Sequence, residues 1–261
     1  MGVFDTHCHL QDPAFDNDRE AVMARALDAL DWLVVIGDDL ENSRRAVAFS
    51  RERIYATAGI HPYHADHVDE NALAALGRLA ARPSVIAIGE IGLDYFNEFS
   101  PRAAQRRALE MQLDLAQSLR LPAVIHCRAA EDDMLAILRE HAASLPSIIM
   151  HCFGGDGIFA RQCLDLGCFI SFAGNVTFSK AHALRDAAAA TPPDRMLLET
   201  DAPYLAPQPR RGRRCEPTDV LHTARFLADF KKMEYAIFCA QTVENARRAF
   251  GVARTENGQE L

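Results

Sequence analysis

The pentapeptide Asp5-Thr6-His7-Cys8-His9 places two imidazoles two residues apart. In extended backbone, residues i and i+2 face the same way, so His7 and His9 can address one ion. Taken alone, the pattern is a weak signal that more often marks a turn with two solvated histidines. Glu90 follows the apolar run 85–88 and alone reads as a helix cap or a buried acid paired with arginine. His126 and His151 each come directly after a short apolar run, where a single histidine is most often a satisfied core residue. Asp201 closes Leu198-Glu199-Thr200-Asp201. Together these residues carry more than any one of them. Four histidines, a glutamate and an aspartate supply a two-metal site: two imidazoles and a carboxylate for one ion, two imidazoles for the other, and a carboxylate shared between them. Imidazole and oxygen ligands suit Zn²⁺ or Mn²⁺, and Mg²⁺ less comfortably.

Residues so far apart in sequence share a site only if the elements bearing them end at one place. Short apolar runs predict strands over 3–5, 32–36, 54–58, 85–88, 123–125, 147–150, 169–172 and 196–198. Amphipathic stretches rich in Ala, Leu and Arg predict helices over 16–29, 40–51, 70–80, 101–119, 131–142, 158–166 and 180–190, then 217–230 and 235–250. Eight strand–helix units without a linker point to a single α/β (β/α)₈ TIM barrel over residues 1–252, with a polar tail at 253–261, a barrel that the resemblance given below makes one of the metallo-dependent hydrolase type. In such a barrel the C-terminal strand ends form the active face, where every candidate residue falls. A doubly wound open sheet is the alternative, but no GxGxxG follows the first strand and no GxxxxGK[ST] occurs.

The chain has 261 residues, 49% hydrophobic and 25% charged, the composition of a soluble globular protein. A core of that size needs no disulfide staples. Seven cysteines without a CxxC pair exclude a full disulfide framework and disfavour a cysteine zinc site. The N-terminus lacks the basic and apolar regions of a signal peptide, and no apolar run is long enough to cross a membrane. A cytoplasmic protein with reduced thiols is expected. Cys8, Cys127 and Cys152 adjoin the candidate histidines; if the strands stay extended, they face the helix layer as small buried hydrophobes. Trp32 and the scattered phenylalanines read as core, and His64 and His67 as solvated.

The motifs Asp5-Thr6-His7-Cys8-His9-Leu10, Gly59-Ile60-His61-Pro62, Gly89-Glu90-Ile91-Gly92-Leu93-Asp94, Ile125-His126, His151-Cys152-Phe153, Leu198-Glu199-Thr200-Asp201, the segment 211–217 and Asn245 occur in this order. In them the chain resembles the TatD-type metal-dependent deoxyribonucleases of the amidohydrolase-like barrels, over roughly residues 3–250. The resemblance implies a divalent-metal site acting on DNA phosphodiesters, often as an exonuclease, here 3'-5' on single-stranded ends. It implies that His7, His9 and Asp201 hold one ion, that His126 and His151 hold the second, and that Glu90 bridges them. His61 and the segment 211–217 match positions near the substrate. Cys215 stands where the family motif usually has Asn, and Gly154 where Ser commonly follows; neither matches a ligand position.

A mechanism follows from two Mg²⁺, Mn²⁺ or Zn²⁺ ions clamping a phosphodiester and supplying a bound hydroxide at neutral pH. Asp201 would orient that nucleophile and take its proton, with Glu90 as the second catalytic carboxylate. Lysine occurs only three times among the 28 basic residues, leaving 25 arginines. Arg211 and Arg213, in the run 210–214, and Arg128 are candidate phosphate contacts, because guanidinium matches phosphate oxygens bidentately. The net charge of −8 argues against a protein that coats duplex DNA, though not against a local grip on a strand end. No membrane association or obligate protein partner is expected. Two other functions compete. A metallo-amidohydrolase or lactonase uses the same barrel, but many bridge their metals through a strand-4 lysine, and no lysine precedes position 180. A catalytically silent scaffold would have lost a ligand, and none is missing.

Overall fold

The computed structural model describes residues 2–252, so the tail expected at 253–261 lies outside the described residues. Eight apolar segments form the strands β1 (Asp5–Cys8), β2 (Leu33–Val35), β3 (Ile54–Ala58), β4 (Val85–Asp94), β5 (Ala123–Arg128), β6 (Ile148–Met150), β7 (Phe169–Phe172) and β8 (Met196–Leu198). They pair in parallel in sequence order. Past β8, His9 N donates to Ala202 O at 2.7 Å and Asp201 N to His7 O at 2.9 Å, bringing the chain back onto β1. The sheet is therefore a nearly closed cylinder, not an open one. Between the strands lie α1 (Arg19–Ala29), α2 (Leu40–Phe49), α3 (Glu70–Ala80), α4 (Arg102–Leu119), α5 (Glu131–His141), α6 (Gly157–Asp165) and α7 (His182–Ala190), followed by α8 (Val220–Phe230) and α9 (Tyr235–Phe250). Asp39, Asp69 and Asp156 cap α2, α3 and α6 by accepting first-turn backbone N–H groups.

The period of two decides what fills the barrel. Trp32, Val34 and Ile36 join Phe4, Val124, Ile149, Phe169 and Leu197 in one buried cluster, whereas Leu33 and Val35 pack in the layer beneath the helices. Val243, Ala246, Ala249 and Phe250 of α9 complete the inner cluster. Trp32 stacks on Phe4 at 4.5 Å and meets Phe250 edge-on at 6.0 Å, so α9 plugs the N-terminal end. Continued two residues onward, the inward parity of Val124, Ile149 and Leu197 reaches His126, His151 and Glu199. The interior turns from apolar to ionisable as it rises toward the mouth. Among the described residues, no helix is long and apolar enough to cross a membrane.

Three strands run further than the sequence expectation, and each difference bears on the site: β5 continues past residue 125 to Arg128, so His126 lies within it. Strand β1 begins at Asp5 rather than at Val3, so His7 lies within it. Strand β4 continues past residue 88 to Asp94, because the Gly-Glu-Ile-Gly stretch pairs with β5: Gly92 faces His126 and Asp94 faces Arg128. A register shift between Ile88 and Ile91 gives Glu90 its own bend in the ladder, with its N–H donating to Gly37 O at 2.6 Å. A Cβ at Gly92 would sit 1.9 Å from the carbonyl oxygen of His126. We expect Gly92→Ala to lower stability by about 1–3 kcal/mol through overpacking against β5. Gly154→Ala, with nothing within 4 Å of its Cβ, should shift the urea midpoint negligibly. Equal midpoints for the two variants would show that β5 yields freely at His126.

Candidate metal centre

Glu90 is buried, and its two carboxylate oxygens face different partners. Oε2 lies 3.4 Å from His7 Nε2 and 3.8 Å from His9 Nε2, while Asp201 Oδ1 closes that side at 3.7 and 3.4 Å from the same two nitrogens. Oε1 lies 3.0 Å from His126 Nδ1 and 2.8 Å from His151 Nε2, and those nitrogens are 3.3 Å apart. Four ligands at about 2.0–2.1 Å from one ion stand about 3.3 Å from each other in a tetrahedron. The observed spacings fall around that value on both sides of Glu90. The donor set therefore fits divalent metal: His7, His9 and Asp201 gather on one side of Glu90, and His126 and His151 on the other.

The outward nitrogens support this division. His126 turns Nε2 to Asp94 Oδ2 at 3.2 Å, and His151 turns Nδ1 to Glu199 Oε1 at 3.4 Å. A carboxylate behind an imidazole holds the proton on the far nitrogen and leaves the near one as a donor to metal. Glu199 is fixed in turn by the N–H of Cys152 at 2.9 Å, and Asp94 by the N–H groups of Phe96 and Asn97. His9 Nδ1 lies between the Gln11 amide, 3.2 Å away, and Asp38 Oδ2, 3.8 Å away. His61 is different. Its Nε2 is 3.3 Å from Glu90 Oε1, but its Nδ1 accepts the Tyr63 backbone N–H at 3.2 Å. A backbone N–H only donates, so neutral His61 carries its proton on Nε2. In that state it can donate into the cavity, and Nε2 also lies within ligand range of Glu90 and His126.

Asp5 ties the two ends of the barrel to the site. Its buried carboxylate accepts from the N–H groups of His7 and Thr200 and from the Thr200 hydroxyl, so strand β1 and the segment before Asp201 move together. Asp201 itself has φ of 58°, left-handed backbone that is uncommon outside glycine, and Cys152 after His151 has φ of 39°. Both kinks sit where a side chain must turn into the mouth. At Cys152 the extended geometry stops, and Cys127 and Cys152 border the cavity rather than only the helix layer. Burial pushes both thiols up, which keeps them protonated. All seven cysteines are free.

The electrostatics favour cations. Burial raises the Glu90 carboxyl, but the charges of His151 and His61 and hydrogen bonds from His126 and His151 outweigh it and hold Glu90 well below the usual range. Burial opposes the charge on His9, yet its hydrogen bond to Asp201 and the charge of Asp38 push it up to about 9. His151 is raised in the same way by Glu90 and Glu199, against its burial. Burial and the neighbouring charge of His151 lower His7. Protons on imidazole here stand where positive metal charge would stand.

The cluster floors a cavity of about 720 Å³, bordered by His9, His61, Arg128, His151, Asn175 and Tyr204 among others. Arg128 thus reaches the site. Arg211 and Arg213 are exposed on the loop after β8 and do not border the cavity; Arg211 lies over the Phe178 ring at 4.4 Å. Arg210 and Arg214 in the same run are engaged by Asp219, and by Asp18 and Glu216. The supporting acids Asp5, Asp94 and Glu199 were not singled out from the sequence, although Glu199 lies two residues past inward Leu197. Phe96 and Phe99, whose residue type predicts core, are 66% and 69% exposed, because the chain turns outward after β4 about the Asp94 side chain.

A paired imidazole–carboxylate cluster at the mouth of a parallel barrel marks a metal-dependent hydrolase. The chain belongs to the TatD-related DNase family, whose model matches residues 4–251. It is 40% identical over 253 residues to the metal-dependent hydrolase YabD of Bacillus subtilis, covering 96% of this chain and 99% of that one. It is 39% identical over 256 residues to the 3'-5' ssDNA/RNA exonuclease TatD of Cronobacter turicensis, covering 95% and 97%. The crystal structure of YjjV, a TatD homolog from Escherichia coli K12, superposes with a TM-score of 0.88 at 30% identity, covering 95% of this chain and 98% of that one.

Two predictions test the centre. An ion on His9 or His151 displaces a proton that each holds at neutral pH, so metal affinity should rise with pH up to about 9, about tenfold per pH unit for each proton released. Calorimetric titration of Mn²⁺ into metal-free protein, in buffers of different ionisation enthalpy, reads that release; affinity constant from pH 6 to 8 would refute the ligand assignment. Glu199→Gln, which frees His151 Nδ1 from its carboxylate, should weaken metal binding about 10–100-fold. Unaltered affinity would reduce Glu199 to a structural role.

Proposed function

We propose that this enzyme hydrolyses phosphodiester bonds of single-stranded nucleic acid, DNA among them, from the 3' end. One observation carries the reading: Glu90 presents one oxygen to His7 and His9 and the other to His126 and His151, at the floor of one cavity. Two Mg²⁺, Mn²⁺ or Zn²⁺ ions held there would supply Lewis-acid stabilisation to the phosphate oxygens. A relative named as a 3'-5' ssDNA/RNA exonuclease supports the substrate and polarity.

The remaining work falls to side chains. Burial raises the Asp201 carboxyl, but the hydrogen bond from His9 and the charge of His7 hold it below the usual range. It is ionised at neutral pH, positioned to orient the attacking water and take its proton. His61 Nε2–H donates to a phosphate oxygen. Arg128 adds positive charge at the cavity wall, while Arg211 and Arg213 meet the strand beyond it. A cavity of about 720 Å³ has small-ligand dimensions, so a strand enters by its end.

The test uses single-stranded oligonucleotides labelled separately at each end, with Mn²⁺ and with EDTA. The 3' label should be released first and only with metal, and Asp201→Asn should lower the rate at least about 100-fold. Release of the 5' label first would reverse the polarity. No cleavage of any oligonucleotide would overturn the reading, and a fully active Asp201→Asn would remove Asp201 from the chemistry.

A further inference from the structure

We infer that Phe96 and Phe99, on the loop joining β4 to α4, form a stacking platform for unpaired bases of the strand whose end occupies the cavity; this rests on the nuclease reading above. Of the four exposed Phe and Tyr rings among the described residues, Phe96, Phe99 and Tyr204 stand on the loops after β4 and β8, around the mouth. Exposed rings normally sit singly and need no explanation. Here they are grouped, and they are held out by a built loop.

Asp94 Oδ1 accepts the N–H groups of Phe96 and Asn97 at 3.0 and 2.8 Å. The Gln105 side chain spans Asp94 N, Asp94 O and Ser100 O, and the Ser100 hydroxyl donates to Tyr63 O at 3.0 Å. The loop is thus pinned at both ends while its two phenyl rings remain in water. Each ring touches a cavity-lining residue. The Arg128 guanidinium lies 4.0 Å over Phe96, and Phe99 meets Tyr63 edge-on at 4.7 Å. An apolar ring capped by guanidinium offers a base face and phosphate charge together, the combination that binds single strands without reading sequence. In a duplex the base faces are already stacked and paired. The platform therefore selects unpaired strands at the nucleotides preceding the scissile bond, and its anchor Asp94 is also the acid behind His126.

Kinetics on Phe96→Ala/Phe99→Ala separate the possibilities, using an oligothymidylate, the same oligomer with abasic sites before the scissile bond, and a dinucleotide too short to leave the cavity. The double variant should raise KM on the intact oligomer about tenfold or more, leave kcat within about twofold, and not alter the dinucleotide or the abasic oligomer. Trp32 is fully buried, so a Phe99→Trp variant gives a second readout. Its fluorescence should fall on titration with a cleavage-resistant phosphorothioate oligothymidylate in Mn²⁺ and stay constant with the abasic phosphorothioate oligomer. Wild-type KM on the intact oligomer in the double variant would overturn the platform. A wild-type dimer that dissociates in the double variant, with KM unchanged, would overturn it in favour of contact between copies. Wild-type enzyme that cleaves no strand would instead bring down the nuclease reading on which it stands.

Discussion

A buried carboxylate that stays ionised is the constraint on which this structure turns. Glu90 is nearly inaccessible, and an isolated charge there would be neutralised by taking up a proton. It remains charged because imidazoles reach it from three other strands and from the loop after β3. The barrel makes that convergence possible. No single strand or helix could bring His7, His126 and His151 within hydrogen-bond range of one side chain, whereas the ends of β1, β5 and β6 surround it. The same demand recurs one layer out, where Asp94 and Glu199 answer His126 and His151 and are themselves held by backbone N–H groups. The site is a series of charges, each compensated by the next, that ends in peptide groups.

Stability and chemistry occupy opposite ends of one cylinder. The lower interior is apolar and closed by α9 through Trp32, Phe4 and Phe250. The upper interior begins with Thr6, Ser171 and Glu199, whose polar atoms would be costly to bury unpaired. Thr6 accordingly donates to Leu198 O and contacts Ser171 Oγ at 3.3 Å. Asp5 joins the halves, since its hydrogen bonds to Thr200 fasten the last strand's exit to the first strand. Asp201 can then hold left-handed backbone against its own preference, because both neighbouring segments are fixed.

The barrel was legible in the sequence because its strands are buried on both faces and read as plain apolar runs. The six proposed ligands were legible because each follows or ends such a run, so one rule of placement brought them to one rim. What stayed hidden lies where local pattern and tertiary pairing disagree. The apolar run of β4 ends at residue 88 in the sequence, and only the pairing with β5 makes Glu90 and Asp94 two positions on one strand with separate tasks. Cys152 breaks the alternation through its own φ, which no spacing encodes. Phe96 and Phe99 have core composition, and only the turn around Asp94 places them outside.

The overall charge looks unsuited to a polyanionic substrate: 36 acidic residues against 28 basic ones. The disposition of those charges resolves the difficulty. Four of the acids, Glu90, Asp94, Glu199 and Asp201, stand in or directly behind the cluster, and Asp12 and Asp38 border the cavity. Without metal this end of the barrel repels a phosphate. Two divalent ions would contribute four positive charges at its floor, enough to reverse the local sign. Acidity at the site is what makes it a metal site, and the metal is what would make it attractive to a phosphodiester. On the proposed function arginine would then serve at the margin: Arg128 at the wall, with Arg211 and Arg213 on the exposed loop, would offer charge to a strand already committed by its end. Field so local falls within about 10 Å at physiological salt, as the proposed grip on a strand terminus would require.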